Sequence, residues 1–141
     1  MDDQEKTDDE ILQELHTKHP IDELVKFSEY NIQEKLEQNT YQIIKFKELF
    51  IKEKNNLDKM ISLKERIIGE RFDFYRFHSD KDLRPNEIIQ YYLPKDLKII
   101  QINKLIRKQQ LVVSFFEMCV DAISRLGWAM KSWLDSNRMG L

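Results

Sequence analysis

CVDAISRLGWAMKSWLDSNRMG, residues 119–140, closes an apolar run that begins near Ile102, and the spacing of that run decides the fold. Ile102, Ile106, Val113, Phe116, Val120, Ile123, Gly127, Met130 and Leu134 fall at helical intervals, the pattern of one helix face. A second stripe, Leu105, Val112, Phe115, Cys119, Ala122, Leu126, Ala129 and Trp133, lies beside the first. The two stripes make an apolar arc too wide for one neighbour, so this helix is expected to pack against several partners. In a chain this small, further copies of itself are the economical source. Val113, Phe116, Val120, Ile123, Trp128, Met130 and Trp133 are the candidate oligomerisation residues.

The rest of the composition agrees with helices. The 141 residues are rich in Lys, Glu, Ile, Leu and Gln, and three Gly with three Pro leave little material for β-turns. An all-α chain of long antiparallel helices follows, organised as a single helical domain over 1–141 with an apolar C-terminal oligomerisation helix. The formal charge of −2 hides an asymmetry: residues 1–40 carry four basic and twelve acidic side chains, and 41–141 carry nineteen and thirteen. The lone Cys119 sits in the apolar helix and reads as an inert core residue. No apolar run reaches membrane-span length, and the acidic N-terminus lacks the features of a signal peptide, so a soluble cytoplasmic protein is expected.

Residues 1–6 read as a frayed tail. Thr7-Asp8-Asp9-Glu10 has the spacing of a capping box, which opens a short acidic helix over 8–18 that His19-Pro20 stops. From 22 to 77 there is no proline and one glycine, as suits one long helix or two, with Asn39-Thr40 and Asn55-Asn56 the weakest points. Residues 78–86 read as a polar loop and Tyr91-Tyr92-Leu93-Pro94 as extended or irregular. Asp96 or Asn103 then opens the final helix, expected to run to about residue 137 with Gly140 beyond as a stop.

Chemistry finds no motif. His16, His19 and His78 share no metal-ligand spacing with cysteine or acidic clusters, and there is no phosphate loop or nucleophile elbow. His16 and His19 read as a solvated pair at a helix end. Neither an enzyme nor a bound metal or cofactor is expected.

Nucleic-acid binding has better support. Lys45, Lys52, Lys59 and Arg66 recur every seven residues, which places them along one side of a helix at intervals of roughly 10 Å. Lys64 lies nearby, and Arg71-Phe72-Asp73-Phe74-Tyr75-Arg76-Phe77 then interleaves guanidinium groups with aromatic rings. Cations that meet phosphates beside rings that stack on unpaired bases are the means by which single-strand binders work. The candidate DNA-binding residues are Lys45, Lys52, Lys59, Lys64, Arg66, Arg71 and Arg76. A plain solvated face would show the same lysines, which leaves a helical oligomeric adaptor without nucleic-acid binding as the alternative.

Val120-Asp121-Ala122-Ile123 near the C-terminus and Arg71-Phe72-Asp73-Phe74-Tyr75 upstream resemble stretches of the UvsY family of phage recombination mediators. Val120-Asp121-Ala122-Ile123, Ser124-Arg125, Gly127-Trp128-Ala129 and Lys131 are similar to its C-terminal helix, although Leu126 interrupts the family's Arg-Gly step. Lys95-Asp96 with Ile99-Ile100 and Ile102-Asn103 resembles the entry into that helix, and Arg71-Phe72-Asp73-Phe74-Tyr75 resembles the family's Arg-Leu-Asp-Tyr-Tyr stretch. The resemblance, carried by residues 60–140, implies single-stranded-DNA binding and contacts with the phage recombinase and the single-stranded-DNA-binding protein. It also implies a ring-like homo-oligomer, hexamer or heptamer, built through the C-terminal helices, in the host-cell cytoplasm. It makes Arg71 a DNA contact, while Gly69 stands where the family has a lysine, a gap that Arg66 or Arg76 would fill.

Overall fold

Thr7 sets the first helix. In the computed structural model, which describes residues 5–139 and side chains as far as residue 137, α1 spans Asp8–Lys18, and Thr7 Oγ1 accepts from the Glu10 amide at 3.2 Å. The expected stop at Gly140 and the first four residues of the expected tail lie outside the described residues. His19 closes α1 by donating its amide to the Leu15 carbonyl at 2.8 Å, and after Pro20 a single turn, α2, covers Ile21–Leu24.

The long central helix, α3, spans Ile32–Asp73. It begins later than the expected residue 22 because Asn31 Oδ1 accepts from the Ser28 amide at 2.7 Å, a local bond that competes with helix. Neither Asn39-Thr40 nor Asn55-Asn56 breaks it. A π-helical turn (Phe74–His78) follows, then the short α4 (Pro85–Glu87), a second π-helical turn (Ile88–Tyr92) and a 3₁₀ turn (Leu93–Lys95). Residues 91–94, expected to be extended or irregular, are thus wound. The last helix, α5, spans Leu97–Met139. All the elements among the described residues are helical, and none of these helices is long and apolar enough to cross a membrane.

The contacts divide the chain into two units, Met1–Glu53 with Leu111–Leu141, and Lys54–Gln110. In the first, α3 and α5 run antiparallel: Phe46 packs with Phe115, Phe116, Cys119 and Ile123, while Ile32, a full fourteen residues earlier in α3, packs with Leu126 and Met130. Ile21 joins the first cluster, and Leu15, Leu24 and Val25 pack against it, so α1 and α2 roof the helix pair. His16 and His19 belong to this roof rather than to solvent. The His16 ring meets Phe115 edge-on at 5.1 Å, and His19 meets Phe116 at 5.2 Å and Phe46 at 5.8 Å. Burial, then Lys45 and Lys18, hold the His19 imidazole below its ordinary pKa. Burial also pushes the Cys119 thiol up to about 11, which keeps it unreactive. The second unit buries Leu83, Ile88, Ile99, Ile102 and Ile106.

One close approach fixes the pairing of α3 and α5 in the first unit. Asn39 Nδ2 donates to the Ile123 carbonyl at 3.0 Å, and a Cβ on Gly127 would stand 2.6 Å from Asn39 Oδ1. Gly127→Ala would gain about 1 kcal/mol of helix propensity. It would also displace Asn39 and break a partly buried hydrogen bond, a loss of about 2 kcal/mol. We expect a net destabilisation of about 1 kcal/mol in urea denaturation. In an Asn39→Ala background the same substitution should instead stabilise, because the obstruction has gone.

Candidate nucleic-acid interface

The chemistry of the second unit is organised by one carboxylate. Asp96 is 4% exposed and sits at the start of α5. Its Oδ1 accepts from the Lys98 amide at 2.9 Å and the Ile99 amide at 3.3 Å, which caps the helix. Its Oδ2 accepts from Arg71 Nε at 2.8 Å and from the Tyr75 hydroxyl at 2.6 Å. Burial alone would raise the Asp96 carboxyl, but the hydrogen bonds from Tyr75, Arg71 and the Ile99 amide outweigh it and hold the group below its ordinary value. The same bonds raise the Arg71 guanidinium and the Tyr75 hydroxyl above theirs.

Arg71, expected as a DNA contact, is therefore half-buried and held within the chain. Its side chain is 21% exposed, its Nε is committed to Asp96, and its guanidinium carbon lies 4.3 Å from the centre of the Phe74 ring. Arg76 is also engaged: Nη1 donates to the Leu83 carbonyl at 2.7 Å and ties down the polar loop. The reason is common to both: the end of α3 needs anchors for the turns that follow, and a fork of guanidinium donors supplies them. Lys64 is half-buried. Lys45 and Lys52 are exposed in the first unit, and Lys59 and Arg66 in the second. Arg66 has only a loose ion pair with Glu70, at 3.8 Å. Lys59 and Arg66 line an open depression with Asp58, Ser62 and Leu63.

The model of the UvsY family, described as recombination, repair and single-stranded-DNA-binding proteins, matches residues 14–140. The chain belongs to the UvsY family. A crystal structure of the bacteriophage T4 recombination mediator protein UvsY has the same fold, with a TM-score of 0.77 at 18% identity over 92% of this chain and 96% of that one. No curated protein matches the chain. Membership places the chain among recombination and single-stranded-DNA-binding proteins.

Of the residues assigned to oligomerisation, Phe116, Ile123 and Met130 are buried within one chain, because α1, α2 and α3 supply the several neighbours that the wide apolar arc of α5 demands. Val113, Val120 and Trp133 are half-buried. Trp128 alone among the seven is open, 73% exposed, with Lys131 Nζ 5.6 Å from its ring.

Sequence reasoning passed over Tyr41 and Tyr91, 66% and 62% exposed. Tyr41 lies one turn before Lys45, so extending the basic stripe by a single turn would have found it. Tyr91 falls in a π-helical turn that helical periodicity cannot register.

Asp96→Ala should cost about 3 kcal/mol, because it removes a cap and strands Arg71. Since the folded carboxyl titrates below its ordinary value, its contribution is complete above about pH 4, the unfolded-chain value, and disappears as the pH falls through the folded value. Urea denaturation across a pH series, wild type beside Asp96→Asn, should show this acid-side slope in the wild type and a weaker one in the variant.

Proposed function

We propose that the protein is a recombination mediator that binds single-stranded DNA through the outward cations of α3. The observation that carries this reading is the exposure of Lys45, Lys52, Lys59 and Arg66, four cations at seven-residue intervals that the fold does not bury. Cations left in solvent can neutralise phosphates and release counterions, which is the main source of affinity for a polyanion. Tyr41 and Phe77, both exposed, add ring faces on which unpaired bases can stack.

One chain carries few such cations and would hold a strand weakly. A homo-oligomer, a hexameric or heptameric ring, repeats the patch and raises avidity through effective concentration. Exposed Trp128 is the apolar anchor that such an assembly would cover, and half-buried Val113, Val120 and Trp133 lie elsewhere on α5. Holding the strand in this way would help the phage recombinase assemble on DNA coated by the single-stranded-DNA-binding protein, in the host-cell cytoplasm. The acidic N-terminal segment is suited to a basic surface on one of those partners. Arg71 and Arg76 then serve the site by shaping the second unit rather than by touching DNA.

The test is a salt series of oligonucleotide binding by fluorescence anisotropy. Wild type should prefer single strands to duplex and show a steep negative slope of log affinity against log salt. Lys59→Ala and Arg66→Ala should each weaken binding on every sequence and flatten the slope by about 0.7 per contact removed, with no change in urea midpoint. Arg71→Ala should weaken binding only together with a loss of stability. An oligomer that binds no single strand at low salt would leave the helical adaptor as the reading.

A further inference from the structure

The two π-helical turns of the second unit, with the short elements around them, build an open cleft of about 540 Å³ lined by Tyr75, Glu87, Tyr91, Tyr92 and Lys95. We propose that this cleft holds one unstacked base of single-stranded DNA and favours guanine over thymine. The inference rests on the single-strand reading above, and it assigns to the cleft a role that the cations of α3 cannot perform: telling one base from another.

The walls suit a flat aromatic ligand. Tyr75 and Tyr92 pack against each other with ring centres 5.4 Å apart, and the Tyr75 hydroxyl is held by Asp96 at 2.6 Å, so this side is fixed before any ligand arrives. Lys81 Nζ sits 6.0 Å from the Tyr92 ring. Tyr91, the neighbouring residue, leaves most of its surface to solvent and offers a ring face on which a base can stack. The volume lies within the range of about 300–1,000 Å³ that small-ligand sites occupy. π-Helical turns are rare and gather at functional sites, and here two of them supply the three tyrosines.

The polar lining then separates the bases. The Glu87 carboxylate is an acceptor only. Guanine presents a ring N–H beside an amino group, two parallel donors that a carboxylate can take together. Thymine flanks its one N–H with two carbonyl oxygens, which a carboxylate repels. The Lys95 ammonium, on the rim of the same cleft, is placed for a neighbouring phosphate and is indifferent to sequence. Arg71, whose guanidinium lies 5.3 Å from the centre of the Tyr75 ring, stiffens the wall from behind.

The experiment compares a thymine homo-oligomer with one of equal length carrying isolated guanines, titrated with the full chain at fixed salt. In wild type each guanine-bearing strand should bind about tenfold more tightly, the discrimination expected of one bidentate contact. Glu87→Gln should abolish that gain, because the amide takes only one of guanine's two donors and no longer repels thymine. Tyr91→Ala should weaken both strands several-fold. Glu87 and Tyr91 are both exposed, so the variants should fold, and the urea midpoint checks it. Equal affinity for the two strands, unmoved by Tyr91→Ala and with a steep salt slope intact, would overturn the cleft and leave the α3 stripe standing. Absence of binding to either strand at low salt would overturn both.

Discussion

The Asp96 carboxylate answers two demands that a helical chain makes at the start of a long helix. The first amides of α5 have no intrahelical acceptor, and Oδ1 takes two of them. The end of α3 must be held against the entry to α5, and Oδ2 takes Arg71 and Tyr75. A buried charge is costly unless its lone pairs are filled, and this one is filled on both oxygens. The turns between residues 74 and 95 depend on it, since Tyr75 and Arg71 also fix the ring faces of Phe74 and Tyr92 that neighbour them.

In the other unit the constraint is the breadth of the apolar face of α5. Two adjacent stripes cannot be covered by one helix. The chain meets the demand by laying α3 along one side and closing the other with α1 and α2, whose Ile21 joins the cluster of Phe115 and Phe116 and whose Leu15 and Leu24 pack against it. This is why the N-terminal forty residues, so acidic by composition, still carry a regular scatter of Ile and Leu. Among the described residues, Leu15, Ile21, Leu24, Val25 and Ile32 join or pack against the core clusters. Gly127 lies against Asn39 of α3, and the absence of a side chain there makes room for that amide.

The all-α class and the two long helices were legible because their signal is local: apolar periodicity over forty residues survives any tertiary context. What lay hidden was partnership. The sequence shows that α5 needs several neighbours but not that α1 and α2 provide them, since four-residue α2 is too short to have a period. The same limit explains Arg71. Its place beside Phe72, Phe74 and Tyr75 reads as a base-stacking motif, and only the fold brings Asp96, twenty-five residues away in sequence, within 2.8 Å. Tyr91 was missed for a different reason, because a π-helical turn shifts its register away from every helical template.

Arg71 and Arg76 also show how the cations of this chain divide their labour. A guanidinium at the end of a helix has donors enough to tie down neighbouring groups, and the fold uses both arginines so: Arg71 joins the Asp96 carboxylate to the Phe74 ring, and Arg76 holds the Leu83 carbonyl. A lysine on an outward helical face forms no such bridge without losing side-chain entropy, and it remains hydrated. Lys52 and Lys59 are of that second kind, and Lys45, also exposed, keeps its ammonium 5.7 Å from the Phe46 ring. Their charge contributes little to holding the chain together, so it is available to a polyanion. On the reading proposed above, the arginines most conspicuous in sequence build the surface, and the ordinary lysines are left to meet a ligand on it.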